Sequence, residues 1–135
     1  MTIAQMMTTN PQAAQAGDSL RQVAARMEAG NFGSMPVLDG GKLVGVVTDR
    51  DIAVRGVAKG LSPDEPVRSV MTPDPVCVGL DCGIQEAAQL MQDRQIRRLY
   101  VTDGDALVGV IALADLVGGA GDKLAGQTIE KISQG

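Results

Sequence analysis

The chain has 135 residues, 44% of them hydrophobic and 21% charged, with a formal net charge of -4 and no histidine. That composition describes a globular chain and excludes intrinsic disorder. The acidic balance excludes a general binder of nucleic acid or anionic membrane, because phosphate needs a basic face.

The first residues, Met-Thr-Ile-Ala-Gln, have no basic region feeding a long apolar run, and the longest apolar stretches, such as Leu43 to Val47, are short. No export signal or membrane span is expected, and the reading is cytoplasmic. In chain order, Asp18 stands before Leu20, Val23, Ala24 and Met27, a helical spacing, and Gly30 follows where a helix would stop. A helix over 19–29 results. Strands over 35–38 and 43–47, joined by Asp39-Gly40-Gly41-Lys42, predict a β-hairpin too apolar to have a wet face. Thr48 then opens a second helix through Arg55, ended by Gly56.

Two prolines and a glycine in 57–66 mark a linker. Beyond it the order repeats, with a helix from Gly83 to Arg94, strands over 99–102 and 107–111, and a helix from Leu113. The tail 118–135 reads as a short docked helix or a mobile end.

A constant offset of 64 residues lays Met7-Thr8 over Met71-Thr72, Pro11 over Pro75, Leu43-Val44-Gly45-Val46 over Leu107-Val108-Gly109-Val110, and Asp51 over Asp115. A unit of about 50 residues buries too little apolar surface alone. The two copies are therefore expected to pack face to face about a pseudo-two-fold axis, leaving clefts.

Without histidine the chain lacks the usual general base and the common nucleophile pairings, so catalysis is not expected. Cys77 and Cys82 fit neither a redox nor a zinc spacing and read as structural, with no metal or cofactor expected. Most of the seven methionines fall at core positions.

The gapless repetition of Met-Thr-x-x-Pro, helix, hairpin and final Asp, with Thr48-Asp49-Arg50-Asp51 after Leu43-Val44-Gly45-Val46-Val47, resembles the tandem cystathionine β-synthase (CBS) domain pair, or Bateman module. It is similar to small stand-alone bacterial pairs of the hypoxic response protein 1 type. The resemblance covers about residues 1–117. It implies an α/β (α+β) fold of two β-α-β-β-α repeats packed through their sheets, with repeats at 1–56 and 67–117.

The resemblance also implies a regulatory module taking an adenosine-containing ligand such as AMP, ADP or ATP between the repeats, a homodimer, and a protein target in trans. Asp51 would anchor the ribose, with Thr48 reaching ribose or phosphate. Val46, Val76, Cys77 and Ile96 would wall the base, and Arg97 and Arg98 would meet phosphate. A second, weaker cleft would use Asp115, Val110, Gln12, Ala13 and Phe32, with Ala112 in place of the threonine and Gly33-Ser34 in place of the arginines.

Simpler readings stand beside these. Thr48-x-x-Asp51 is also a helix-capping pattern, and Arg97-Arg98 is also a solvated strand edge. Arg50 and Arg55 read as surface residues, with pairing to Asp49 or Asp51 or an extension of a phosphate site as the alternatives. The alternative function is a structural or protein-interaction pair with no nucleotide.

Overall fold

The computed structural model describes residues 2–119. The expected tail over 118–135 lies outside the described residues, apart from Gly118 and Gly119 at the end of the last helix. The chain forms two compact units: Gln12–Pro75, here the first unit, and the residues up to Pro11 together with those from Val76 onward, the second. Each unit thus takes a piece of chain from the head of the other repeat. The exchange occurs just after Asn10 and Asp74, which both have left-handed backbone (φ 49° and 55°) and both precede a proline.

In the first unit, β2 (Ala14–Gln15) pairs parallel with β3 (Ser34–Asp39), and β3 pairs antiparallel with β4 (Lys42–Thr48). The other edge of β4 takes β5 (Thr72–Pro73) antiparallel. The second unit repeats this with β6 (Cys77–Gly79) parallel to β7 (Arg98–Asp103), β7 antiparallel to β8 (Ala106–Ala112), and β1 (Thr8–Thr9) antiparallel to β8.

One glycine per unit admits the edge strand. A Cβ on Gly45 would stand 2.6 Å from Met71 Sδ and 2.9 Å from the Thr72 carbonyl oxygen. A Cβ on Gly109 would meet Met7 Sδ at 2.5 Å and the Thr8 carbonyl at 3.1 Å. The repeated Met-Thr and the repeated Leu-Val-Gly-Val are therefore two sides of one close contact.

Helix α1 (Leu20–Gly30) turns Leu20, Val23 and Met27 inward, at i, i+3 and i+7, against Met35, Val37, Val47, Val67 and Val70. Burial of each such side chain contributes about 1.5–3 kcal/mol. Ser19, not Asp18, is its N-cap: Ser19 Oγ accepts the Gln22 N–H and Gln22 Oε1 accepts the Ser19 N–H. Asp18 instead accepts the Gln15 N–H. The helix also runs one residue beyond expectation, through Gly30, and Asn31 ends it in the left-handed region.

Two further boundaries differ from the sequence reading. α2 (Asp49–Asp51) does not stop at Gly56; a π-helical segment, Ile52–Gly56, and a 3-10 turn, Val57–Lys59, carry it to Gly60. Gly56 is buried, and a Cβ there would lie 3.1 Å from Leu20 Cδ1, so it serves close helix packing rather than termination. The linker is docked as well. Its Pro63 and Glu65 carbonyls accept the Arg21 and Leu20 N–H groups, completing the N-terminus of α1.

The second unit packs α3 (Ile84–Arg94) and α4 (Leu113–Gly119) around Met91, Leu99, Val101, Ile111 and Leu116, with Ile3 fully buried among them. No helix of the described residues is long and apolar enough to cross a membrane.

Candidate functional site

The end of β4 and the first turn of α2 place Val46, Thr48 and Asp51 together in the first unit, all half-buried. Thr48 is the N-cap. Its Oγ1 accepts the Asp51 N–H at 3.0 Å, and Asp51 Oδ2 accepts the Thr48 N–H at 2.9 Å. The capping pattern is thus real, and it fixes the carboxylate. Oδ1 remains, 3.9 Å from Arg55 Nε, on a side chain only 16% exposed. The hydroxyl proton of Thr48 is a donor and Oδ1 an acceptor, side by side, which is a complement for two vicinal hydroxyls.

The second unit holds the matching turn without the hydroxyl. Asp115 Oδ2 accepts the Ala112 N–H at 2.8 Å, but Ala112 offers no oxygen to the Asp115 N–H. Val110 lies half-buried on β8 of the same unit, whereas Ala13 and Phe32, half-buried, and Gln12, exposed, belong to the first unit.

Val76, Cys77, Ile96, Arg97 and Arg98 all lie in the second unit, around the parallel pair β6 and β7. Val76 and Ile96 are half-buried; Cys77 and both arginines are exposed. The Arg97 carbonyl accepts the Leu113 N–H at 2.7 Å, and Arg98 opposes Ala112 in the ladder, so the arginine backbone is bonded to the start of α4. Gly33 and Ser34 take these places in the first unit, with the Asp49 N–H donating to the Gly33 carbonyl.

Both cysteines are free thiols. Partial burial pushes both thiol pKa values up, and for Cys82 the neighbouring Glu86 and Asp81 carboxylates push further, which disfavours the thiolate. Among the described residues no group of three or more His, Cys, Asp or Glu could hold a metal ion.

The sequence reading did not single out a pocket of about 410 Å³ in the first unit, walled by Ala24, Met27, Phe32 and Ile52 and edged by Glu28, Asn31, Gly33 and Asp49. Its signal was present in the overlay of the repeats, where Glu28 faces Gln92 and Asp49 faces Leu113.

The architecture of each unit, four strands with a helix ahead of the hairpin and another behind it, is that of a CBS domain, and a family model for the CBS domain matches residues 3–56 and 67–120. The chain belongs to the CBS domain family. It is 38% identical to the CBS domain-containing protein YhcV of Bacillus subtilis over 128 residues, 94% of this chain and 91% of the relative. Hypoxic response protein 1 of Mycobacterium tuberculosis is 33% identical over 101 residues, 73% of this chain and 71% of that one. The crystal structure of Hypoxic Response Protein I with two coordinated zinc ions superposes with a TM-score of 0.79 at 26% identity, covering 90% of this chain and all of the other. That of CBSX2 in complex with AMP gives 0.77 at 26% identity, covering 88% and 95%.

Proposed function

We propose that this chain is a non-catalytic regulatory module that binds an adenine nucleotide and acts, as a homodimer, on a protein target in trans. The observation that carries the reading is the Thr48–Asp51 turn, in which one carboxylate oxygen is committed to the backbone while the other lies 3.9 Å from Arg55 Nε, a pattern that with the adjacent hydroxyl suits a ribose diol. Support comes from family membership over nearly the whole chain and from AMP bound by a relative of 26% identity. The ribose end is assigned to Val46, Thr48 and Asp51. The base is assigned to Val76, Cys77 and Ile96, and the phosphates to Arg97 and Arg98. The Asp115 turn, with Val110, Ala13 and Phe32 assigned to it, is the weaker site because Ala112 supplies no hydroxyl.

The competing reading is a pair without nucleotide, in which the Thr48–Asp51 box serves the helix alone. Thermal unfolding with AMP, ADP, ATP and adenosine separates the two. A ligand of the folded state at a hundredfold excess over its Kd adds about 2.7 kcal/mol of stability. A panel with no shift in Tm, together with no heat in calorimetric titration, would discard the nucleotide.

A further inference from the structure

The 410 Å³ pocket of the first unit lies between the C-terminal half of α1 and the start of α2; neither Thr48 nor Asp51 lines it, and Phe32 is the one lining residue it shares with the weaker site assigned to the Asp115 turn. Its surface is mixed, with Ala24, Met27, Phe32 and Ile52 supplying apolar contact and Glu28 and Asp49 supplying two carboxylates. Glu28 and Asp49 enter no ion pair among the described residues, and no cationic side chain lines the space. α1 ends at this edge with no basic residue in its last turn, so the carbonyl end of its dipole adds to the negative potential.

The second unit carries different chemistry at the matching positions. There Asp49 and Ile52 are replaced by Leu113 and Leu116, 7% and 1% exposed, which belong to the hydrophobic core of that unit. Glu28 becomes neutral Gln92, and Gly33 becomes Arg97. At the matching positions the second repeat thus carries neither carboxylate and gains a cation. Two glycines of the first repeat also shape the pocket: a Cβ on Gly30 would overlap the Phe32 ring, and a Cβ on Gly33 would stand 3.1 Å from Asp49 Oδ2. Their counterparts in the second repeat are Arg94 and Arg97.

We infer that this pocket binds a small aliphatic cation, an alkyl guanidinium or alkyl ammonium. The charged head lies at Glu28 and Asp49, and the alkyl stem lies on Met27, Phe32 and Ile52. A carboxylate pair selects the charge, and the apolar wall beside the aromatic ring selects a stem over a bare metal ion.

The test is titration of the ¹⁵N-labelled full chain, at constant ionic strength, with butylguanidinium, with its neutral isostere butylurea, and with a blocked arginine tripeptide. Butylguanidinium should give saturable shifts at the Asn31, Phe32, Gly33 and Asp49 amides and bind at least about fivefold tighter than butylurea. The Glu28→Gln/Asp49→Asn variant should lose about tenfold in affinity while its AMP response stays unchanged. If the double variant loses spectral dispersion, Glu28→Gln alone, on an exposed helical position, should still lose about threefold. Equal binding of butylurea, shifts spread over remote acids such as Asp64 and Asp103, unchanged affinity in the variants, or no saturable shift would each overturn the assignment. Binding of the tripeptide without butylguanidinium would overturn it in favour of a protein side chain.

Discussion

Asp51 bonds the Thr48 amide through Oδ2 and presents Oδ1 to Arg55 Nε at 3.9 Å, so one carboxylate both starts a helix and keeps an acceptor in reserve. Asp115 makes the first bond to Ala112 but has no hydroxyl beside it. Asp51→Ala should therefore weaken AMP binding by about tenfold or more, the worth of a hydrogen bond to a charged group, and Asp115→Ala by much less. Equal losses in calorimetric titration would remove the asymmetry between the two turns.

Arg98→Ala separates phosphate from nucleoside. If its guanidinium meets phosphate, AMP and ATP should lose about tenfold in affinity while adenosine changes little. An equal loss for adenosine would make Arg98 a structural residue of β7.

The repeat and the element order were legible because the two copies impose the same period twice. Each hairpin and each helix core, such as Leu20, Val23 and Met27, appears at the expected place. What the sequence concealed was tertiary. Gly56 has the look of a stop signal, but Leu20 packs on it, and contact with another element outweighs local propensity. The linker prolines mark irregular chain correctly, yet nothing local says that Pro63 and Glu65 cap α1. The exchange of strands at Asn10 and Asp74 is likewise invisible to periodicity, and the pocket edged by Glu28 and Asp49 joins residues 21 positions apart on different elements.

Gly45→Ala and Gly109→Ala test the close contact of each edge strand. A backbone carbonyl 2.9 or 3.1 Å from the new methyl cannot swing aside as the methionine can, and overpacking of this kind costs about 1–3 kcal/mol. Tm should fall by several degrees in both, and more for Gly45. An unchanged Tm would mean that β5 and β1 are loosely held.

Gly83 is the N-cap of α3 and supplies no side-chain acceptor, whereas its counterpart Ser19 does. Its φ is -79°, a Cβ there meets nothing within 4 Å, and Glu86 already occupies the third helical position. Gly83→Ser should complete a capping box and raise stability by about 0.5 kcal/mol in denaturant titration. A loss instead would show that the Glu86 carboxylate, 4.0 Å from Cys82 Sγ, is not free to turn back to the new cap.

Regulation needs a second state as well as a site. Val54 and Val57 are large apolar residues left 48% and 72% exposed on the segment that continues α2, one turn beyond Asp51, and Arg55 lies between them. A second copy packing on this segment would join the subunit contact to the Asp51 turn through Arg55, whose guanidinium also approaches the Val70 carbonyl at 3.5 Å. A ribose hydroxyl that donates to Oδ1 competes with Arg55 for that oxygen and so alters the surface offered to that copy. An effector shifts an equilibrium only by its differential affinity for the two states. Saturating AMP should therefore change either the dimer dissociation constant in sedimentation or the small-angle scattering profile, and Arg55→Ala should abolish that change while leaving AMP bound. Identical sedimentation and scattering with and without ligand would leave a passive nucleotide binder in place of a sensor.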